Sequence, residues 1–208
     1  ALDLCILAAR AGGKTVLVRP QSASNEHILN ALDCGADGVI LPHICDAADA
    51  EDAVKACHYI SGGRGYAGSS RAAGYTTKGM AKHRADAASV TIIAQIEDVE
   101  GVENIEAIAA VDGIDALFIG RADLTISYAA QTPDDTIVVD AVERRQAMGT
   151  RGQQGQAQPG DQRRAVGGVA GAQILDQVVG AHHQAGKPRM GSGHLLGLQH
   201  AERGFHHA

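Results

Sequence analysis

Four polar residues stand where short apolar runs of this sequence end, and their types suit the handling of a small anionic substrate. Arg19 closes TVLVR (Thr15–Arg19), Gln95 and Glu97 close VTIIAQIE, and Asp123 lies just past DALFIG. Gln95 and Glu97 are two apart, so on a strand both face the same side. Two polar groups facing an apolar interior need a ligand or a partner. Glu97 and Asp123 could place two carboxylates around a hard divalent cation such as Mg²⁺, which keeps waters and takes few protein ligands. Plainer roles are also open. Arg19 could form an ordinary salt bridge, Glu97 could be an exposed first-turn acid, and Asp123 could cap a helix through Leu124–Tyr128.

The elements around these residues read as repeated strand–loop–helix units. A helix around Leu2–Arg10 stops at Gly12-Gly13, ahead of the first strand. A helix near Asn25–Cys34 carries an apolar stripe of Ile28, Leu29 and Leu32, and Gly35 ends it. Gly38–Pro42 (GVILP) is the next strand, and Asp46 is a suitable N-cap for a helix over Ala47–Cys57. The Gly-rich stretch Ser61–Tyr75 is expected to be irregular, with a helix around Lys78–Ala87 after it. Val90–Ile96 is an almost continuous apolar run, as expected of a strand covered on both faces. Val99, Val102, Ile105 and Ile108 line one side of a single following helix, and Asp115–Ile119 is a further strand. This alternation predicts an α/β fold with a parallel sheet, open or closed into a barrel, whose functional groups gather at the carboxyl ends of the strands.

Composition narrows the class. The chain has 208 residues and a net charge of −6. That balance, without a basic stripe, argues against a nucleic-acid partner. No apolar run reaches the roughly 20 residues of a membrane span. Four cysteines (Cys5, Cys34, Cys45, Cys57) lack CxxC spacing and read as buried thiols of a cytoplasmic protein. The averages conceal a break. Residues 1–144 hold 11 Lys and Arg against 21 Asp and Glu, whereas residues 145–208 hold 7 against 3 and are rich in Gly, Gln and His. Such a shift fits a domain boundary, a disordered tail or a change of reading frame, and in the tail only Ile174–Val179 is apolar enough to form a buried element. The expected organisation is a barrel domain over 1–144 and an atypical tail over 145–208.

The runs that carry the four polar residues resemble the HpcH/HpaI aldolase/citrate lyase family. The matching stretches are LVRP (Leu17–Pro20), ALDCGADGVILPHI (Ala31–Ile44), GGRGYAGSSRAAGY (Gly62–Tyr75), AQIEDVEGVENIEAIAAVDGIDALFIGRADL (Ala94–Leu124) and PDDTIVVDAVER (Pro133–Arg144). The resemblance implies a TIM (β/α)8 barrel of the phosphoenolpyruvate/pyruvate type. It also implies metal-dependent carbon–carbon cleavage of a 4-hydroxy-2-oxo acid to pyruvate and an aldehyde. On the matching positions, Glu97 and Asp123 hold the metal, which is Mg²⁺ or Mn²⁺ with Co²⁺ as a further option. Arg19 contacts the keto oxygen and the enolate, Gln95 stands beside the first carboxylate, and Asp33 supports a catalytic histidine. The backbone from Gly120 through Ala122 to Asp123 receives the substrate carboxylate. Relatives assemble as homo-oligomers, and the implied partner is a small 2-oxo acid.

Two features depart from the family pattern. Its catalytic histidine belongs to a strand before LVRP, a position that falls before Ala1. His43 in LPHI is the one nearby substitute, although its setting reads more readily as structural. From Arg145 onward the family's turns and closing strands are not legible, so the barrel is expected to be incomplete, without its first strand and with its last strands in doubt. Two alternatives accompany the aldolase. One is a citryl- or malyl-CoA lyase, for which Arg64, Arg71 and Lys78 could meet nucleotide phosphates. The other is an inactive metal- or oxoacid-binding remnant.

Overall fold

In the computed structural model, residues 1–151 and 173–175 are described, with side chains over 1–143. The elements run α1 (Leu2–Ala11), β1 (Leu17–Val18), α2 (Asn25–Asp33), β2 (Gly38–Leu41), α3 (Ala47–Cys57), α4 (Met80–Ala87), β3 (Thr91–Ile96), α5 (Val99–Glu103), α6 (Ile105–Ala109), β4 (Ala116–Ile119), α7 (Arg121–Ser127), α8 (Thr136–Arg151) and β5 (Gln173–Leu175). The five strands form one parallel sheet in the order β1-β2-β3-β4-β5. A doubly wound sheet reverses its strand order at a switch point. This order never reverses, so right-handed crossovers place every connecting helix on one face, as in the wall of a (β/α) barrel.

Alternation along the strands separates two surfaces. Ile92, Ala94 and Ile96 of β3 pack with Ile28 and Leu32 of α2, Ala50 and Ala53 of α3, Ile105 and Ile108 of α6, and Leu117 and Ile119 of β4. Ile93 and Gln95 point the other way and are also buried, at 2% and 5% exposure. With two Phe and no Trp in the chain, aliphatic and Ala side chains fill this core. Small Ala residues on α3 let that helix lie close to the sheet.

A repeated device sets the register. Gly35 (φ +94°), just past the end of α2, and Gly113 (φ +104°), in the turn after α6, lie in the left-handed region that favours glycine. Each is followed by a buried apolar residue (Ala36, Ile114) and then an aspartate immediately before a strand. Asp37 Oδ2 accepts from Val16 N at 2.8 Å, and Asp115 Oδ2 accepts from Ile92 N at 2.9 Å. The main chain returns the contact: Asp37 N donates to Val16 O and Asp115 N to Ile92 O, both at 2.8 Å. Each aspartate therefore locks its own strand to the preceding strand of the sheet before the ladder begins.

Most expected elements are present, with instructive differences. The helix expected over 99–108 is two short helices broken at Asn104, whose Nδ2 donates to Cys45 O at 2.9 Å. The expected cap is made, with Asp46 Oδ1 accepting from Asp49 N at 2.8 Å. Asp123 is not an N-cap; it lies inside the first turn of α7, whose N-cap is Gly120. Of the four cysteines, all are free thiols, but only Cys57 is buried. The composition break at Arg144 falls within α8. Of the apolar stretch expected at Ile174–Val179, β5 includes Ile174 and Leu175, and 176–179 lie outside the described residues. Among the described residues, no helix is long and apolar enough to cross a membrane.

Asp115→Ala leaves the Ile92 N–H without its carboxylate at the edge of the buried β3–β4 pair. It is expected to cost about 1–3 kcal/mol, read as a lower urea midpoint at unchanged slope; an unchanged midpoint would contradict the locking role.

Candidate active site

β1, β3 and β4 bring the four polar residues to one end of the sheet. Arg19 follows β1, and its Nε donates to Gln95 Oε1 at 3.2 Å. That contact fixes the Gln95 amide, so Nε2 faces onward and donates to Glu97 Oε2 in a short hydrogen bond. A side-chain amide can serve both neighbours, accepting from a guanidinium on one side and donating to a carboxylate on the other. The ordinary salt bridge open to Arg19 is therefore replaced by a relay through Gln95.

Glu97 is fully buried, at 0% exposure, and is not the exposed first-turn acid that its position also allowed. In the β2–β3 register the next ladder N–H after Leu41 is that of His43, with Gln95 O as its acceptor. The left-handed turn at His43 carries that N–H off the ladder to Glu97 Oε1 at 2.9 Å, and Ile44 N takes Gln95 O in its place at 3.4 Å. Gly120 closes the other side: a Cβ there would lie 2.9 Å from Glu97 Cβ and 3.2 Å from Gln95 Nε2. Glu97 can be this deeply seated because residue 120 has no side chain.

Burial raises the Glu97 carboxyl above its ordinary pKa of 4.5. The His43 N–H and imidazole oppose that rise, while the charge of Asp123 and a hydrogen bond with it add to it. Glu97 and Asp123 thus face each other as two carboxylates within hydrogen-bonding reach. Such a donor set fits a hard divalent cation, whose charge would offset the burial, and after it the Asp123 charge, that now favour a proton on Glu97. Among the described residues no group of three His, Cys, Asp or Glu side chains converges to hold a metal ion, so the remaining positions would fall to water or substrate oxygens.

His43 is the residue that sequence reasoning undervalued. Its Nδ1 lies 2.9 Å from Asp98 Oδ2 and 3.5 Å from Glu97 Oε1. The Asp98 contact is the main cause of a raised pKa on the imidazole. Its backbone is left-handed, at φ +55°. Sequence offered one signal, a histidine directly after the proline that ends a strand.

The structure does not bring Asp33 to this cluster. It ends α2, five residues before β2 begins, on the side where strands enter the sheet, and its carboxylate pairs with Arg64. The other cations considered for nucleotide phosphates are paired as well, Arg71 with Asp3 at 2.7 Å and Lys78 with Asp86 at 2.9 Å. Ala122 and Asp123 are exposed at the start of α7, where first-turn N–H groups lack intrahelical partners.

A parallel sheet in unreversed order, with acids, an amide and an arginine at its carboxyl end, defines an α/β barrel-type enzyme scaffold with an oxygen-donor site. The chain belongs to the HpcH/HpaI aldolase/citrate lyase family, whose model matches residues 2–196. It is 36% identical over 137 residues to 4-hydroxy-2-oxovalerate aldolase of Rhodococcus jostii (strain RHA1), covering 64% of this chain and 53% of that protein. It is 39% identical over 136 residues to 2-dehydro-3,6-dideoxy-6-sulfogluconate aldolase of Pseudomonas putida, covering 61% and 52%. The chain thus spans about half the length of these relatives. Among solved structures, an HpcH/HpaI aldolase/citrate lyase family protein from Burkholderia cenocepacia J2315 superposes with a TM-score of 0.68 at 30% identity, covering 72% of this chain and 61% of that one.

Linkage on Glu97 has a definite sign. Its folded pKa is raised, so its favourable contribution is complete below the unfolded carboxyl's pKa and is lost as pH rises through the folded value. In metal-free buffer, Glu97→Gln should gain thermal stability relative to the parent as pH rises from acid to neutral. The absolute offset includes a donor–donor conflict between the introduced amide and Gln95, but the pH slope does not. A parent–variant difference that is flat with pH would contradict the burial argument.

Proposed function

We propose that this chain carries the metal and enolate site of a class II aldolase that cleaves a 4-hydroxy-2-oxo acid to pyruvate and an aldehyde. The observation that carries this is the continuous Arg19–Gln95–Glu97–Asp123 array at the strand ends. The two aldolase relatives support the same chemistry. Glu97 and Asp123 are the residues that would hold Mg²⁺ or Mn²⁺, with Co²⁺ a further option. Bound there, the cation would act as a Lewis acid toward negative charge developing on the substrate.

Retro-aldol cleavage removes the proton of the 4-hydroxyl, breaks the C3–C4 bond, releases the aldehyde and leaves the bonding electrons on pyruvate as an enolate. Protonation at C3 then completes the product. Arg19 supplies a fixed positive charge for the enolate oxygen, and Gln95 holds that guanidinium in place through Nε. Among the described residues, Arg19 Nη1 and Nη2 make no hydrogen bond and are available to substrate. The first-turn N–H groups at Ala122 and Asp123, beside Gly120, suit a substrate carboxylate. By resemblance, the proton acceptor would be a histidine of the strand that precedes LVRP in the family; Asp33, at the strand-entry end beside Arg64, is not placed to support it. Self-association into a homo-oligomer and a cytoplasmic setting, which free thiols suit, belong to the same proposal.

The acyl-CoA alternative has less support, because Arg64, Arg71 and Lys78 are each engaged by a carboxylate. Pyruvate release from a 4-hydroxy-2-oxo acid, followed by coupling to lactate dehydrogenase, tests the proposal. Turnover should require added Mn²⁺, stop with EDTA, and fall on the order of 10²-fold or more in Arg19→Ala. Turnover that EDTA leaves intact would contradict it. Mn²⁺ binding without turnover would favour the inactive remnant.

A further inference from the structure

We infer that His43 is a positioning residue whose left-handed backbone, anchored through its imidazole by Asp98, aims an N–H at Glu97 and sets that carboxylate for the cation. The inference rests on the metal site proposed above. Four observations meet at this residue. Its register partner on β3, Gln95 O, is taken by Ile44 N at 3.4 Å, so the His43 N–H is free to turn elsewhere. That N–H reaches Glu97 Oε1 at 2.9 Å, and Glu97 has no exposure to water, which could otherwise replace the bond. The conformation that directs it, φ +55°, is one that non-glycine residues adopt sparingly, so something must hold it. The holding contact is His43 Nδ1 to Asp98 Oδ2 at 2.9 Å, on an imidazole that is otherwise 61% exposed.

The geometry also assigns different tasks to two consecutive acids. Glu97 continues the inward face of β3 that Gln95 occupies, and takes its two oxygens' donors from His43 and Gln95. Asp98 points to the other side, where His43 Nδ1 and the Cys45 thiol occupy its Oδ2. Asp98 therefore acts on the site only through His43. Supporting residues of this kind, one shell behind a metal ligand, typically tune affinity by about 10–100-fold.

The test separates backbone from side chain. His43→Gly and His43→Ala both remove the imidazole, but glycine tolerates the left-handed turn and alanine resists it. Mn²⁺ affinity of the full chain, followed by loss of the free-ion EPR signal, should therefore be weaker in the Ala variant than in the Gly variant. His43→Asn tolerates the turn and keeps a side-chain donor for Asp98, so it should bind more tightly than either. His43→Val, which is β-branched and disfavours positive φ, should lose about tenfold or more relative to the parent. Metal-free thermal melts show that each variant is folded, and the Gly–Ala comparison stands even if the Val variant is not. Equal affinity in the Gly and Ala variants would overturn the backbone role. So would equal losses in the Asn and Val variants, because the imidazole itself would then be what matters. Binding by the parent that is lost in Glu97→Ala, with all His43 variants like the parent, would overturn this inference alone. Failure of the parent to bind Mn²⁺ would overturn the metal site together with it.

Discussion

A carboxylate with no exposure to water is the constraint around which the rest of this structure is arranged. Removing Glu97 from solvent costs several kcal/mol unless its oxygens are satisfied, and each neighbouring element contributes to that satisfaction. Past β2, a left-handed turn at His43 swings its N–H inward while Ile44 N takes the ladder acceptor, and β3 places Gln95 two residues earlier on the same face. β4 ends in a glycine because any side chain would collide with Glu97. Asp123, at the start of α7, then adds a second negative charge to a site that already disfavours the first. An arrangement that works against its own folding at neutral pH is understandable as a site built for a cation.

The relay from Arg19 through Gln95 links this constraint to substrate chemistry. Arg19 follows a two-residue strand and is exposed, so the Gln95 contact is what ties its long side chain to the sheet. The strand-locking aspartates serve the same end. Asp115 joins β4 to β3 at their entry ends, which fixes how far Gly120 and Asp123 project beside Glu97 at the other end. One register error there would turn Gln95 and Glu97 into the helix layer.

Much of this was legible in the sequence where the physics is local. Strand ends, the Asp46 cap, the helix stops at glycine and the shared face of Gln95 and Glu97 follow from period and residue type. The break at Asn104 was not legible, because it depends on a carbonyl of Cys45 far away in the chain. The role of His43 was hidden for a similar reason, since a left-handed residue after a proline has meaning only once Glu97 is seen beneath it. Asp33 illustrates the converse. Its match to a family motif suggested a catalytic neighbourhood, but the topology of α2 places it near the strand entries, beside Arg64.

Whether Glu97 and Asp123 jointly hold a divalent cation is read out by an anomalous diffraction map from Mn²⁺-soaked crystals. A Mn²⁺ peak is expected beside the Glu97 and Asp123 carboxylates. The peak should be absent from Glu97→Gln crystals soaked in the same way. A clean map around Glu97 in the parent, or a Mn²⁺ peak bound only elsewhere, would contradict a joint site.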